Sequence, residues 1–325
     1  VSERALKKSA TKPLVAVIAT GGTIASKRGT NGASTPTLTG EDLLALLPQA
    51  DAHLRPVDLM SKDSASLTLS DMQRVSDAVK LELNDADVGG IVVLHGTDAM
   101  EETALLVHLQ LTTQKPVIFT GAQFTADHPD ADGPANLLAA IRLATDPANA
   151  ERGVLVTFGG RTLPAWGLFK HSSDEADAFR SARSFPFAES PHLPAPVDGI
   201  RVDIVAIYPG CDAAHIRASV DAGAHGIVLA ALGSGNANPA IVDAVRHCTE
   251  RGVSVVISSR VPVGLLTPGY GGGGGGHDLA KAGAVHSQTL RPAQARILLS
   301  SLIASQSSAE TMVRAFSDQN PADAE

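Results

Sequence analysis

Short runs of Val, Ile and Leu recur at residues 14–18, 91–94, 117–119 and 154–157, each bounded by Gly, Thr or Pro. Runs of this length without polar alternation predict strands buried on both faces. Between them the apolar positions change to a helical period: Met72, Val75, Val79 and Leu83 fall on one face, as do Met100, Ala104, Val107 and Leu111. Strands alternating with helices predict a mostly parallel sheet with helices on both sides.

The stretch around residues 185–203 breaks this rhythm with Pro186, Pro191, Pro194, Pro196 and Gly199, and reads as a linker. Beyond it the alternation restarts: strands over 203–207, 227–232 and 253–257, helices near 213–221 and 239–251, and a last helix from Pro292. The expected organisation is a larger N-terminal α/β domain over 1–185, a linker over 186–202 and a smaller C-terminal α/β domain over 203–325. Two domains also suit 325 residues, because single cores stop growing at roughly 250–300 residues. Residues 271–276 are six consecutive glycines, flanked by Tyr270 and by His277-Asp278. They predict a mobile surface loop, or a lid, more readily than a phosphate cradle, since no Lys-Ser or Lys-Thr follows.

Composition narrows the function. A formal net charge of −8 and the absence of any Lys/Arg cluster argue against a nucleic-acid or anionic-membrane surface. No apolar stretch approaches the roughly 20 residues that span a bilayer. Cys211 and Cys248 stand alone, so neither a disulfide framework nor a zinc site is expected. The first residues have no apolar signal core, which leans toward a cytoplasmic protein, although a chain that starts on Val is equally compatible with trimming.

Candidate chemistry lies where strands end. Thr20-Gly21-Gly22-Thr23 and His95-Gly96-Thr97-Asp98 each follow a buried run, and in an open α/β sheet the crevice at the carboxyl ends of the strands is where ligands bind. A threonine hydroxyl becomes a nucleophile only when a base takes its proton and donors stabilise the oxyanion. Taken singly, Thr23 fits an ordinary glycine turn, and Asp98 with Glu101 three residues on fits a capping box. Taken together, they point to one site. Asp98 would hold a substrate ammonium, the hydroxyls of Ser61-Lys62-Asp63-Ser64 suit a carboxylate, and a partly desolvated Lys170 suits a proton acceptor for a threonine.

Four segments, in order, carry a family resemblance: Ala19-Thr20-Gly21-Gly22-Thr23-Ile24-Ala25, His95-Gly96-Thr97-Asp98-Ala99-Met100-Glu101-Glu102-Thr103, Asp132-Gly133-Pro134-Ala135-Asn136-Leu137 and Ser258-Ser259-Arg260-Val261-Pro262. From about Pro13 onward the chain resembles the bacterial-type L-asparaginases, threonine amidohydrolases of the asparaginase/glutaminase family. The resemblance implies hydrolysis of asparagine to aspartate and ammonia without cofactor or metal. It implies Thr23 as nucleophile, Thr97 with Asp98 and Lys170 as a second threonine group, and Lys170 as base for Thr97 or its water. Ser64 matches the serine that binds the substrate α-carboxylate, with Asp63 and Ser61 as neighbours, and Asp98 would bind the α-ammonium. Asn236 in Gly233-Ser234-Gly235-Asn236 matches a residue reaching the site from a partner subunit, in a tetramer built from tight dimers. A dual glutaminase-asparaginase or another amidase is the nearest alternative, and a non-catalytic amino-acid binding module is the alternative of another class. Amidotransferase relatives that act on charged transfer RNA carry an added N-terminal domain, for which the stretch before Pro13 leaves no room.

The chain departs from that family at three places. Residues 27–40 contain no tyrosine where many relatives place one beside the nucleophile; the glutamate that relatives carry near 271–276 is missing; and Ala65 stands where many have Gln. The chain's tyrosines are Tyr208 and Tyr270, so Tyr270, next to the expected lid, is the candidate for the missing hydroxyl. With one charge-assisted hydrogen bond fewer to the substrate ammonium, binding weakens by about 1.5–3 kcal/mol, or roughly ten- to a hundredfold. The Michaelis constant for free asparagine is therefore expected well above the low-micromolar range, and a steady-state titration returning a low-micromolar value contradicts this.

Overall fold

The computed structural model describes residues 12–29, 33–45, 47, 51–112, 114–182 and 190–317. In chain order, the first part contains β1 (Leu14–Gly21), β2 (Ser26–Arg28), β3 (Ser34–Pro36), α1 (Gly40–Ala45), β4 (His53–Lys62), α2 (Leu69–Asn84), β5 (Val88–Leu94), α3 (Met100–Gln110), β6 (Val117–Thr120), α4 (Gly133–Ala144), β7 (Val154–Phe158), β8 (Arg161–Pro164), β9 (Leu168–Lys170) and β10 (Phe179–Ser181). The second part contains β11 (Val202–Ala206), α5 (Ala214–Asp221), β12 (Gly226–Ala231), α6 (Pro239–Glu250), β13 (Ser254–Ser259), α7 (Gly276–Lys281), β14 (Val285–His286), α8 (Pro292–Ala304) and α9 (Ala309–Phe316).

The larger sheet has the order β4-β1-β5-β6-β7-β8, parallel from β4 through β7, with β8 antiparallel at one edge. The smaller one, β11-β12-β13-β14, is parallel throughout. This is the expected α/β architecture, a large mostly parallel sheet flanked by helices and a smaller one following it. The unbroken apolar runs have the expected cause. Along β1, Ala16 and Ile18 pack with α2 and α3 residues such as Val75, Val79 and Val107, whereas Val15 and Val17 pack on the opposite face with Leu43, Leu137 and Ile141. Because each face is covered, neither can be polar.

Helix α3 buries apolar residues on two sides, which the one-sided period read from Met100, Ala104, Val107 and Leu111 did not anticipate. Those residues face the larger sheet, but Leu105, Leu106 and Leu109 are also fully buried, against Leu298, Leu299 and Leu302 of α8 and Val228 and Val256 of the smaller sheet. α3 is thus shared by both halves of the chain.

Of the expected linker, residues 186–189 lie outside the described residues. The following stretch has no helix or strand but is fastened to α2 and α3: Leu193 N–H donates to the Leu109 carbonyl (2.7 Å), Gln110 Nε2 to the Ala195 carbonyl (3.0 Å) and Val197 N–H to Gln73 Oε1 (3.0 Å). Gln73 and Gln110 in turn bond each other through both amides, so these buried polar groups are paired. Cys211 and Cys248 are free and buried. Among the described residues no helix is long and apolar enough to cross a membrane.

Candidate active site

From β1 the chain moves to β4 on one side, then returns to β5 on the other. The crevice beyond the carboxyl ends of β1 and β5 is therefore a topological switch point. Both threonine-bearing segments open into it. The Thr20 hydroxyl donates to the Leu94 carbonyl at 2.8 Å and locks the two strand ends together.

Past Thr20 the backbone takes φ values of 103° at Gly21 and 80° at Gly22, then one 3₁₀ turn over Thr23–Ala25. Gly22 also lies against Gly96: a Cβ on Gly22 would stand 2.5 Å from the Gly96 Cα. Glycine at both positions lets the two turns touch through their main chains. Gly22 N–H donates to the Lys62 carbonyl (3.1 Å), which adds the end of β4 to the assembly.

The segment after β4 is positioned by ionic and capping bonds. Lys62 Nζ donates to both oxygens of Asp71 on α2 (2.8 and 2.9 Å), and these bonds hold the Asp71 carboxyl down to about 2. Asp63 spends a carboxylate oxygen on the Ala65 N–H (3.2 Å), capping the turn over Ser64–Ser66. Ser64 is buried, and its Oγ accepts the Asp98 N–H (3.2 Å). Any Cβ on Gly96 would strike that oxygen. Ser61, at the exposed end of β4, makes no such contact.

Lys170 arrives from β9. Its Nζ donates to Thr97 Oγ1 at 2.8 Å and to Asp98 Oδ1 at 2.7 Å. The Asp98 side chain is 54% exposed and that of Lys170 22%, so this pair adds little to stability and is instead a charged, partly open mouth beside a buried threonine. Behind it His95 is fully buried and neutral, burial pushing its pKa down to about 4. Its Nδ1 lies 2.8 Å from the Gly96 carbonyl, an atom that only accepts, so Nδ1 carries the proton and the ring steadies the turn before Thr97.

The structure thus brings Ser64, Thr97, Asp98 and Lys170 into direct contact and sets Thr23 in the adjoining turn. Asn236 and Tyr270 lie elsewhere, beyond the carboxyl ends of β12 and β13. Among the described residues no hydrogen bond joins either to Thr23, Thr97, Asp98 or Lys170 within the chain. Asn236 Oδ1 accepts the Gly276 N–H (3.2 Å), and Ala237 N–H donates to the Gly274 carbonyl (2.8 Å). Asp278 Oδ2 accepts from Gly273 (2.7 Å) and Gly275 (3.1 Å). The glycine run therefore differs from the expected free loop: it is a bonded N-terminal cap of α7, and Tyr270, 66% exposed, is tied to it through its carbonyl, which accepts the His277 N–H (2.9 Å). The Ser259 hydroxyl donates to the Gly233 carbonyl (2.6 Å) and binds the turn before Asn236 to the end of β13, giving the Ser258-Ser259-Arg260 segment a structural reason.

The Asp132-Gly133-Pro134 segment is likewise a brace. The Asp132 carboxylate accepts from the Gln123 and Phe124 N–H groups and from Asn136 Nδ2, and so shapes the loop after β6.

The capping-box reading of Asp98 and Glu101 is corrected by the structure. α3 begins at Met100 with Ala99 as its N-cap and no side-chain cap. Glu101 Oε2 instead accepts the Lys170 N–H at 2.6 Å. Sequence reasoning missed this residue because a three-residue spacing from Asp98 fits a local cap, and nothing local shows a strand arriving 69 residues later.

Comparison with known proteins follows the same division. The family model for the N-terminal part of the asparaginases matches residues 14–194, and that for the glutaminase/asparaginase C-terminal domain matches residues 201–316. A probable L-asparaginase of Deinococcus radiodurans is 33% identical over 324 residues, covering 94% of this chain and 98% of that protein. L-asparaginase 2 of Escherichia coli is 31% identical, covering 88% of each chain. A glutamyl-tRNA(Gln) amidotransferase component of Methanococcus maripaludis is 26% identical, covering 92% of this chain and 78% of that protein. An α/β protein with a threonine-lined crevice at its switch point, the chain belongs to the asparaginase family.

Burial pushes the Glu101 carboxyl up to about 7, against the pull of the Lys170 N–H; Glu102 raises it further and the Lys170 charge lowers it. Glu102 is itself paired with Arg296 of α8 at 3.0 Å. In the folded protein Glu101 holds its proton more tightly than in the unfolded chain. As pH rises above about 4.5 the unfolded state ionises first, and stability falls until about 7. Thermal melts of wild type and Glu101→Gln are expected to show wild-type Tm declining relative to the variant across that window. A Tm difference independent of pH contradicts the shift.

Proposed function

We propose that the protein is an L-asparaginase, hydrolysing the side-chain amide of L-asparagine to L-aspartate and ammonia with Thr23 as nucleophile. The observation that carries this reading is the Lys170 ammonium bonded at once to the Thr97 hydroxyl and the Asp98 carboxylate, next to the turn that presents Thr23. The L-asparaginase names of the relatives from Deinococcus radiodurans and Escherichia coli support it.

The substrate's α-ammonium pairs with the Asp98 carboxylate. Because the Ser64 Oγ already accepts the Asp98 N–H, its own O–H is left to donate to the α-carboxylate. The amide carbon then faces Thr23. Attack forms the Thr23 Oγ1–carbon bond while the Thr23 hydroxyl proton passes to the amide nitrogen; the carbon–nitrogen bond breaks and the nitrogen leaves as ammonia. Water next adds to the acyl carbon, its proton passing by way of Thr97 and Lys170 in its uncharged form to the Thr23 oxygen; the acyl carbon–Oγ1 bond breaks, the Thr23 hydroxyl is restored and aspartate departs.

A second copy of the chain completes the pocket in this proposal, as a dimer within a tetramer. Asn236 and Tyr270 sit on one surface, tied together by the glycine run, so a copy that delivers one to a neighbouring crevice delivers both. Tyr270 then supplies the hydroxyl that residues 27–40 lack.

Ammonia release from asparagine and glutamine at equal concentration tests the reading and ranks the two amides. Wild type is expected to turn over asparagine, and Lys170→Met to lose roughly 10²–10⁴ in kcat. Thr23→Ala is expected to lose at least as much. Wild type releasing no ammonia from any amide contradicts the reading. For Tyr270→Phe, turnover of asparagine is expected to drop, and a rate equal to wild type removes Tyr270 from the site.

A further inference from the structure

Lys170 is the last residue of β9, a three-residue strand whose sheet partner is the equally short β10. Such a ribbon does not by itself fix an ammonium to within a few tenths of an ångström. Two buried groups grip it from behind. Glu101, in the first turn of α3, accepts the Lys170 N–H at 2.6 Å. Gln294, in the first turn of α8 and 1% exposed, accepts the Gly167 N–H at 2.8 Å and donates through Nε2 to the carbonyls of Ala165 (2.6 Å) and Glu101 (2.9 Å). The turn leading into β9 and the helix start that follows Thr97 and Asp98 therefore hang on one amide from the second half of the chain.

We propose that Glu101 and Gln294 are positioning residues for Lys170, together holding its ammonium on Thr97 and Asp98, and that α8 thereby sets the geometry of a site formed by the larger sheet. The proposal rests on the role given to Lys170 in the asparaginase reading. Neither residue touches substrate in that reading; Glu101 acts through the lysine backbone and Gln294 through the turn that leads into β9 and the start of α3. The glutamine is matched to its place, because one primary amide supplies the acceptor and both donors that the three surrounding backbone groups need.

Glu101→Ala and Gln294→Met separate positioning from mere bracing. Each removes the grip while leaving Ser64 and Asp98 to bind substrate. Misplacement of a catalytic group by about 1 Å costs on the order of 10²-fold. Both variants are therefore expected to lose roughly ten- to a hundredfold in kcat per folded molecule, with KM changed far less. Glu101→Gln, whose side-chain oxygen still accepts the Lys170 N–H, is expected to restore most of the rate lost in Glu101→Ala. A brace that only stabilises the fold lowers Tm without this split and without this rescue.

Crystal structures of Glu101→Ala and Glu101→Gln give a readout independent of turnover. The Lys170 Nζ is expected beyond hydrogen-bond reach of Thr97 Oγ1 in the alanine variant and within about 2.7–3.2 Å in the glutamine variant. A folded Glu101→Ala protein that keeps the Lys170–Thr97 bond overturns the proposal, whatever its rate. If wild type is active and Lys170→Met is not, yet Glu101→Ala matches wild type, positioning alone fails. If wild type hydrolyses no amide, the asparaginase reading fails and the crystallographic comparison still decides this one.

Discussion

The two-sided burial of α3 is the constraint on which the rest depends. A helix with apolar side chains on two opposite sides cannot leave either to water, so the larger sheet must cover one and α8 the other. Its start lies immediately after Thr97-Asp98, and its first turn carries Glu101 and Glu102. The hydrophobic requirement that joins the two halves of the chain therefore also fixes where Thr97 and Asp98 stand. Gln294 and Arg296 on α8 meet that first turn with polar bonds, converting a nonspecific apolar contact into one rotational setting.

How far the chain could be read in advance followed burial. β1, β5, β6 and β7 are covered on both faces, and that produces unbroken apolar runs that no other element mimics. β4 lies at the sheet edge with mostly half-buried residues, Arg55 among them, and with Asp58 and Lys62 exposed, and leaves no comparable trace. β8, β9 and β10 are three or four residues long, too short for any period to register. α9 follows α8 after a four-residue break, and it too was not anticipated.

The site was legible where its chemistry sits on strand ends and illegible where it depends on distant partners. Thr23 and Thr97 follow buried runs, so the crevice was implied by the pattern; Ser64 and Lys170 stood out by residue type, and the resemblance gave them particular roles. Glu101 obeys a local rule by spacing and a long-range one in fact; the carboxylate goes to the stronger claim, a buried backbone N–H otherwise left without an acceptor. The glycine run posed the opposite difficulty. Its composition implies freedom, but Asp278 and Asn236 satisfy its backbone groups one by one.

The contact between Gly22 and Gly96 joins the two threonine-bearing turns through main chain alone. No side chain can be grafted there to shorten the pocket, nor trimmed there to lengthen it, because none exists and none fits. Variation in what the crevice admits must therefore come from residues other than these two glycines. Evolution or an engineer altering the crevice is confined to its other residues, while the spacing of the two turns stays constant.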